Sequence, residues 1–168
     1  MATRKLIQQN TDGTKTEYTG KSTSAGAADS GEFVVLDSAG KLDASLLPNG
    51  VGADAVTLTA GEALVAGNFI YINGSGQVMK ADATAIGKKA VGYVLSAVSS
   101  GATATVYFDE SNTGLTGLTA GSTYYLSATA GGVTTTPPTT AGQIVQELGV
   151  ATSTTSIHVN FKSPIIRA

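Results

Sequence analysis

Two short segments contain the residue types that hold phosphate groups in nucleotide-binding proteins. Residues 20–23 (GKST) match the end of a P-loop, but that motif needs a further glycine at the position that Lys15 occupies here. Residues 50–52 (GVG) match the start of a dinucleotide fingerprint, whose third glycine is replaced by Ala55. We therefore expect no nucleotide-binding site.

Metal binding and catalysis find no better support in the sequence. Residues 109–114 (DESNTG) begin like a calcium loop, but the position that should supply a bidentate glutamate is Ala120. The sequence has no cysteine, which excludes disulfides, cysteine-ligated metals and thiol nucleophiles. His158 is the single histidine, and the sequence has no Gly-x-Ser-x-Gly elbow. We expect no catalytic residue, no metal ligand and no cofactor, and we expect the protein not to be an enzyme.

The composition narrows the class of protein further. Charged residues make up 13% of the 168 residues, about half the usual share in soluble domains. The net charge of −2 argues against binding nucleic acid by phosphate neutralisation. No apolar run approaches the length of a membrane span, and residues 1–9 lack the apolar core of a secretory signal. We therefore expect neither nucleic acid nor a membrane as a partner. Abundant threonine and glycine favour strands over helices.

The first third of the chain differs from the rest. Residues 1–32 are mostly polar and keep neither a two-residue nor a helical period, so they predict an extended N-terminal arm that a neighbouring molecule orders. Residues 33–36 (FVVL) predict a short strand. A helical turn is expected after Asp43 and before Pro48. The flexible joint at residues 49–52 places the domain boundary near residue 52, between an arm of residues 1–52 and a β-domain of residues 53–168.

The β-domain is predicted to be all-β, a compact antiparallel β-sandwich or small barrel. Short apolar segments alternate there with turn residues, which is the pattern of such folds. The predicted strands are residues 69–72, 77–80, 91–98, 103–108, 123–126, 133–136, 143–151 and 156–161.

Two details of this domain bear on candidate sites. Residues 73–76 (NGSG) predict a hairpin turn because Asn-Gly tolerates positive φ, and this interpretation outweighs the glycosylation sequon that the same residues form. In the last strand, Ile157 and Val159 alternate with His158, so the histidine is expected on the solvent side.

The β-domain also contains an apparent internal duplication, with pseudo-repeats at about residues 60–108 and 115–161. Residues 66–72 (AGNFIYI) match residues 120–126 (AGSTYYL). Shorter matches join residues 91–94 to 148–151 and residues 106–108 to 159–161. Two copies are too few for a solenoid and fit a sandwich or barrel. Chance similarity of generic strand patterns is the alternative explanation.

Several segments together resemble structural proteins of tailed bacteriophages. Nearly the whole chain from about residue 15 resembles head decoration (cement) proteins, and related modules occur in tail fibres. The stretch at residues 40–48 (GKLDASLLP) marks phage structural proteins without distinguishing head from tail. The similar segments are residues 24–31, 35–48, 50–54, 62–69, 117–121, 141–146 and 164–166.

The resemblance implies a non-enzymatic virion protein on the outer surface of the capsid. Such a protein would bind across neighbouring major capsid subunits, stabilise the head and associate with itself as a homotrimer. Eight apolar or aromatic residues among the first 52 are the candidate capsid or subunit contacts: Leu6, Ile7, Tyr18, Phe33, Val35, Leu42, Leu46 and Leu47.

Two alternatives stay open. The leucines at 42, 46 and 47 could cover the base of the chain's own β-domain instead of another subunit. The protein could also be a short tail fibre or receptor-binding module that presents residues 134–140 (TTTPPTT) to a host glycan, although the chain has no repeat long enough for a shaft. A hydrolase that uses His158 is the remaining and weakest alternative.

Overall fold

The computed structural model describes residues 5–47 and 54–168. The fold is all-β, as the sequence predicts: its strands pair in antiparallel sheets, and the described helical segments are short 3-10 turns. The chain divides into two compact units, Met1–Gly52 and Ala53–Ala168, called here the N-terminal and C-terminal units. Pro48 and the expected joint at residues 49–52 lie outside the described residues.

The N-terminal unit begins with a β-hairpin. Strand β1 (Lys5–Gln9) pairs antiparallel with β2 (Lys15–Thr19). In the turn between them, a carboxylate oxygen of Asp12 accepts a hydrogen bond from the Thr14 backbone N–H (2.9 Å), and Gly13 has a φ of 85°. The sequence predicts an extended arm over residues 1–32 that keeps no strand period, whereas the structure pairs two strands there. Turn chemistry sets the pairing where strand periodicity gives no signal.

The remainder of the N-terminal unit is held by isolated contacts. The expected strand at residues 33–36 is reduced to one bridge, in which the Lys21 N–H donates to the Phe33 carbonyl (2.9 Å) and the Val35 N–H donates to the Lys21 carbonyl (3.0 Å). A 3-10 turn forms at Gly26–Asp29. A second one forms at Ala44–Leu46, where a turn was expected, and a carboxylate oxygen of Asp43 accepts from the Ser45 N–H (2.9 Å).

The C-terminal unit contains two five-stranded sheets and one two-stranded sheet, and a 3-10 turn at Ile86–Lys88. The first sheet has the order β3-β7-β6-β4-β5, where β3 is Ala55–Thr59, β4 is Phe69–Ile72, β5 is Val78–Lys80, β6 is Gly92–Tyr93 and β7 is Thr103–Tyr107. The second sheet has the order β10-β9-β12-β13-β8, where β8 is Ser111–Asn112, β9 is Thr123–Leu126, β10 is Val133–Thr134, β12 is Glu147–Ala151 and β13 is Ile157–Val159. Strand β11 (Ile144–Val145) pairs with β14 (Ile165–Ile166).

The two five-stranded sheets place corresponding strands in corresponding positions. Strands β4, β6 and β7, which contain or overlap the first copies of the sequence matches, lie in the same order as β9, β12 and β13, which contain or overlap the second copies. The turn glycines also correspond: the Gly67 N–H donates to the Val94 carbonyl (2.8 Å), and the Gly121 N–H donates to the Ala151 carbonyl (2.7 Å). These correspondences support the duplication, which stays a prediction.

The core of the C-terminal unit forms two clusters. The first contains buried residues from both large sheets, among them Phe69 and Tyr93 from one and Leu148 and Ile157 from the other. It thus packs the sheets together as in a sandwich. The second cluster lies within the first half of the unit, around Ile70, Val94 and Val106.

Close backbone approach explains one glycine in each large sheet. A Cβ at Gly149 in β12 would overlap the carbonyl oxygen of His158 on the adjacent strand. A Cβ at Gly92 in β6 would lie 2.7 Å from the carbonyl oxygen of Tyr107 on β7. Any side chain at either position would push the neighbouring strand away.

Candidate interaction surface

The N-terminal unit has apolar side chains but no buried ones among those described. Between Lys5 and Leu47, every residue whose burial is described is exposed or half-buried. By contrast, every buried hydrophobic residue of the described chain lies between Ala60 and Val159. We call the apolar residues of the first unit the N-terminal apolar surface, which comprises Leu6, Ile7, Tyr18, Phe33, Val34, Val35, Leu36, Leu42, Leu46 and Leu47.

The hairpin separates its three candidate residues onto two faces. Leu6 lies directly opposite Tyr18, so these two side chains share one face. Ile7 lies opposite Glu17 on the other face, where Lys5 Nζ is 3.1 Å from a Glu17 carboxylate oxygen. The exposed fractions are 52% for Leu6 and 68% for Ile7. Thr16 and Tyr18 on the first face are half-buried, and no residue of either strand is fully buried.

The segment of residues 33–36 also presents apolar groups on two sides. Phe33 and Val35 are half-buried because they pack over the backbone of Gly20, where an added Cβ would overlap both side chains. Val34 and Leu36 alternate with them and are 51% and 60% exposed. Sequence reasoning named the first pair and missed the second. The apolar run itself, with no polar residue at alternate positions, was the signal for a segment uncovered on two sides.

The leucines of the 3-10 turn region are only partly covered. Leu42 is exposed, whereas Leu46 and Leu47 are half-buried. The turn is fixed to the preceding chain by a hydrogen bond from the Ser24 N–H to Ser45 Oγ (2.8 Å). The two interpretations of these leucines, contact with another subunit or with the chain's own β-domain, both remain open.

Carboxylates of the N-terminal unit accept hydrogen bonds that stabilise its turns. Hydrogen bonding from the Ala25 N–H (2.6 Å), together with Lys21 Nζ at 3.3 Å, lowers the pKa of Asp29. The hydroxyl and N–H of Thr14 lower the pKa of Asp12 in the same way. Asp12 and Asp29 therefore serve the folding of the unit, and its exposed apolar side chains lie among exposed polar ones.

In the C-terminal unit, the structure gathers no catalytic constellation around the one histidine. His158 is exposed on β13 and lies opposite Val150 on β12 and Ser111 on β8, on the solvent side as the sequence predicts. Within residues 5–47 and 54–168, no group of three or more histidine, cysteine or acidic side chains is placed to hold a metal ion. Across the same residues, no helix has the length and apolarity to cross a membrane.

Three ionisable side chains of the C-terminal unit, Asp82, Lys88 and Tyr93, have shifted pKa values, and the hydrogen bond to Asp82 raises the pKa of Lys88. Burial raises the pKa of Asp82, but hydrogen bonds from Thr84 and an ion pair with Lys88 Nζ (3.0 Å) outweigh burial and lower it overall. Burial raises the pKa of Tyr93 to about 12, and the nearby charge of Glu110 contributes. Asp82 and Tyr93 are both held within the fold by hydrogen bonds.

The C-terminal unit carries exposed apolar side chains that the candidate residues did not include. Val65 is 57% exposed in the loop before β4. Ile165 and Ile166 are also exposed, although β14 pairs with β11. Their only sequence signal was the resemblance at residues 164–166.

Comparison with known proteins adds no family to this description. No family model matches the chain, and no curated protein matches it.

Proposed function

We propose that this protein is a non-enzymatic structural component of a tailed-phage virion that decorates and stabilises the capsid. In this proposal it lies on the outer capsid surface and binds across neighbouring major capsid subunits. The sequence resemblance to head decoration proteins supports the proposal. The observation that carries it is the contrast between a C-terminal unit with a complete core and an N-terminal unit with no buried side chain among those described.

The hairpin of the N-terminal unit needs external support. A two-stranded hairpin is marginally stable in water unless a further layer covers it. Because Leu6 and Ile7 are already partly covered, burying the rest of their side chains on a partner would stabilise the complex by roughly 1–2 kcal/mol each before the cost of association is subtracted. Within the described residues, the outer edges of β1 and β2 pair with no further strand, so each edge can accept a strand of another protein. The major capsid protein is the partner that the resemblance suggests.

Self-association would strengthen such attachment. In the proposed homotrimer, three N-terminal units would bind the shell together, so that weak individual contacts add through high effective concentration. Light scattering of the purified protein tests the trimer directly. A monomer at all accessible concentrations would contradict this part of the proposal and leave capsid binding by single chains to be measured.

The decoration role is tested with full-length variants and phage heads that lack the protein. Ile7→Asp adds a charge to the N-terminal apolar surface, and Val65→Asp adds the same charge at a similarly exposed residue of the C-terminal unit. We expect Ile7→Asp to lose co-sedimentation with heads and Val65→Asp to keep it. Heads decorated with the natural protein should release DNA at a higher temperature than bare heads.

Three outcomes would contradict the proposal in different ways. If Val65→Asp lost binding to heads and Ile7→Asp kept it, the capsid contact would lie on the C-terminal unit. Equal DNA-release temperatures for decorated and bare heads would remove the stabilising role. Antibody labelling of the tail alone, in intact virions, would favour the tail-fibre alternative.

A further inference from the structure

We propose that Asn73 is a site of spontaneous modification, at which the side-chain amide becomes a carboxylate through a cyclic succinimide. Asn73 opens the turn between β4 and β5. Its carbonyl accepts a hydrogen bond from the Gly76 N–H (3.0 Å), and its own N–H donates to the Gln77 carbonyl (2.9 Å). This inference concerns the chemistry of the turn and is independent of the proposed capsid role.

The carbonyl group of the Asn73 side chain is held by two backbone donors. Oδ1 accepts hydrogen bonds from the Ser75 N–H and the Gln77 N–H, each at 2.9 Å. When a nucleophile adds to Cγ, negative charge develops on this oxygen. Fixed N–H groups directed at such an oxygen stabilise the tetrahedral intermediate of acyl transfer. The turn thus supplies the electrostatic part of the reaction without a separate catalyst.

The nucleophile is the backbone nitrogen of Gly74. Residues 74–76 are exposed, and the Gly74 N–H donates no hydrogen bond within the described chain. A Cβ built on Gly74 would have no atom within 4 Å, so no neighbouring group shields this position from solvent. Hydroxide can therefore reach the N–H, and no side chain on residue 74 obstructs the approach of its nitrogen to Cγ.

The reaction uses only the chain and water. Hydroxide removes the Gly74 amide proton, and the nitrogen attacks Cγ of Asn73 while the carbonyl electron pair moves to Oδ1. The tetrahedral intermediate then collapses and the bond from Cγ to Nδ2 breaks. Nδ2 takes a proton from water and leaves as ammonia. Water then opens the ring at either carbonyl, giving aspartate or isoaspartate at position 73 and one additional negative charge.

Other asparagines of the described chain lack this combination. Asn112 is buried, its Nδ2 donates to the Gly67 carbonyl (3.0 Å), and Thr113 follows it. Asn10 is followed by Thr11, whose branched side chain crowds the attacking nitrogen. Modification is therefore expected to be selective for Asn73 over these sites. Asn49, which also precedes a glycine, lies outside the described residues and is followed as a separate peptide.

The test is peptide mapping of the full-length protein after incubation at mildly alkaline pH, with Gly74→Ala as the matched variant. Gly74 has no positive φ and has space for a Cβ, so this variant should fold normally. We expect aspartate and isoaspartate to accumulate at residue 73 and to form about tenfold more slowly in Gly74→Ala, equivalent to about 1.4 kcal/mol in activation free energy. Asn73→Asp should keep the unfolding midpoint, because a carboxylate oxygen accepts the same two hydrogen bonds, and the Gln77 amide that accepts from Asn73 Nδ2 (3.3 Å) can turn to donate Nε2 to the carboxylate.

Two results would overturn the proposal. In the first, Asn73 stays intact in the folded protein while it converts in the urea-unfolded chain, which would show that the turn protects the amide. In the second, Asn10 or Asn112 converts as quickly as Asn73, or Gly74→Ala converts at the natural rate.

Discussion

The side-chain amide of Gln146 pairs with the backbone of Ala90 as a strand would. Its Nε2 donates to the Ala90 carbonyl, and its Oε1 accepts from the Ala90 N–H, both at 2.8 Å. Gln146 is 2% exposed and belongs to the second half of the C-terminal unit, whereas Ala90 belongs to the first. One side chain thus satisfies two buried backbone groups and joins the halves.

The first prediction follows from this pair. Gln146→Leu keeps similar bulk but leaves the N–H and carbonyl of Ala90 without partners, and each such buried group costs about 1–3 kcal/mol. We expect the free energy of unfolding, measured by urea denaturation, to fall by about 2–5 kcal/mol. The control is Gln143→Leu, because the Gln143 side chain is half-buried and makes no hydrogen bond within the described residues. Equal losses for both variants would refute the assigned role of Gln146.

The second prediction concerns Glu110, which has a φ of 72° in the turn between β7 and β8. An L-residue in this left-handed region costs about 1–2 kcal/mol, which glycine avoids. Because glycine also loses more backbone entropy on folding, we expect Glu110→Gly to stabilise the protein by up to about 1 kcal/mol. Thermal unfolding measures the change.

Asp109→Gly is the matched control for Glu110→Gly. It removes the carboxylate that accepts from the Glu110 N–H (2.7 Å), and it relieves no positive φ, so it should destabilise the protein. A loss of stability in Glu110→Gly of the same size would show that the turn carries no strain.

The third prediction concerns pH. The Tyr93 hydroxyl donates to the Asp109 carbonyl (2.6 Å), and burial raises the pKa of Tyr93 from its ordinary value of 10.0 to about 12. The neutral phenol is therefore favoured in the folded state. Its contribution to stability is complete below the unfolded pKa and is lost as pH rises from about 10 towards 12, because the unfolded chain ionises first.

Tyr93→Phe separates the hydrogen bond from the ionisation. At neutral pH we expect this variant to be less stable by about 0.5–1.5 kcal/mol, since one hydrogen bond is lost. Above about pH 10 the natural protein should lose more stability per pH unit than the variant. The difference between their free energies of unfolding should therefore become smaller. Urea unfolding across the alkaline range provides the comparison, and parallel curves would contradict the assignment.

Hairpins show how much of the fold the sequence predicts. The turn at residues 73–76 was placed correctly, but positive φ occurs at Gly76 and not at the Asn-Gly pair. The hairpin of β1 and β2 was missed because the adjacent residues Leu6 and Ile7 break alternation, and no buried face exists to enforce it. Strand length was also overestimated. A strand was expected at residues 91–98, but β6 spans only Gly92–Tyr93.

The candidate surface was predictable only in part, for a related reason. Phe33 and Val35 were named from a predicted strand at residues 33–36, whereas the structure has a single bridge to Lys21 and leaves Val34 and Leu36 exposed as well. Sequence periodicity identifies residues that a chain buries within itself. It does not identify side chains that remain uncovered until another molecule is present.

Hydrogen bonds join the two halves of the C-terminal unit, and they bear on how the predicted duplication could have arisen. The Gly131 N–H donates to the Ala81 carbonyl (2.7 Å), and the Phe69 N–H donates to the Gly131 carbonyl (3.1 Å), so each half completes the backbone pairing of the other. If the predicted duplication occurred, an ancestor containing one half alone would have left the Phe69 ring and these amides facing water. Dimerisation of that ancestor would have covered them, and duplication and fusion of its gene would have made the dimer permanent.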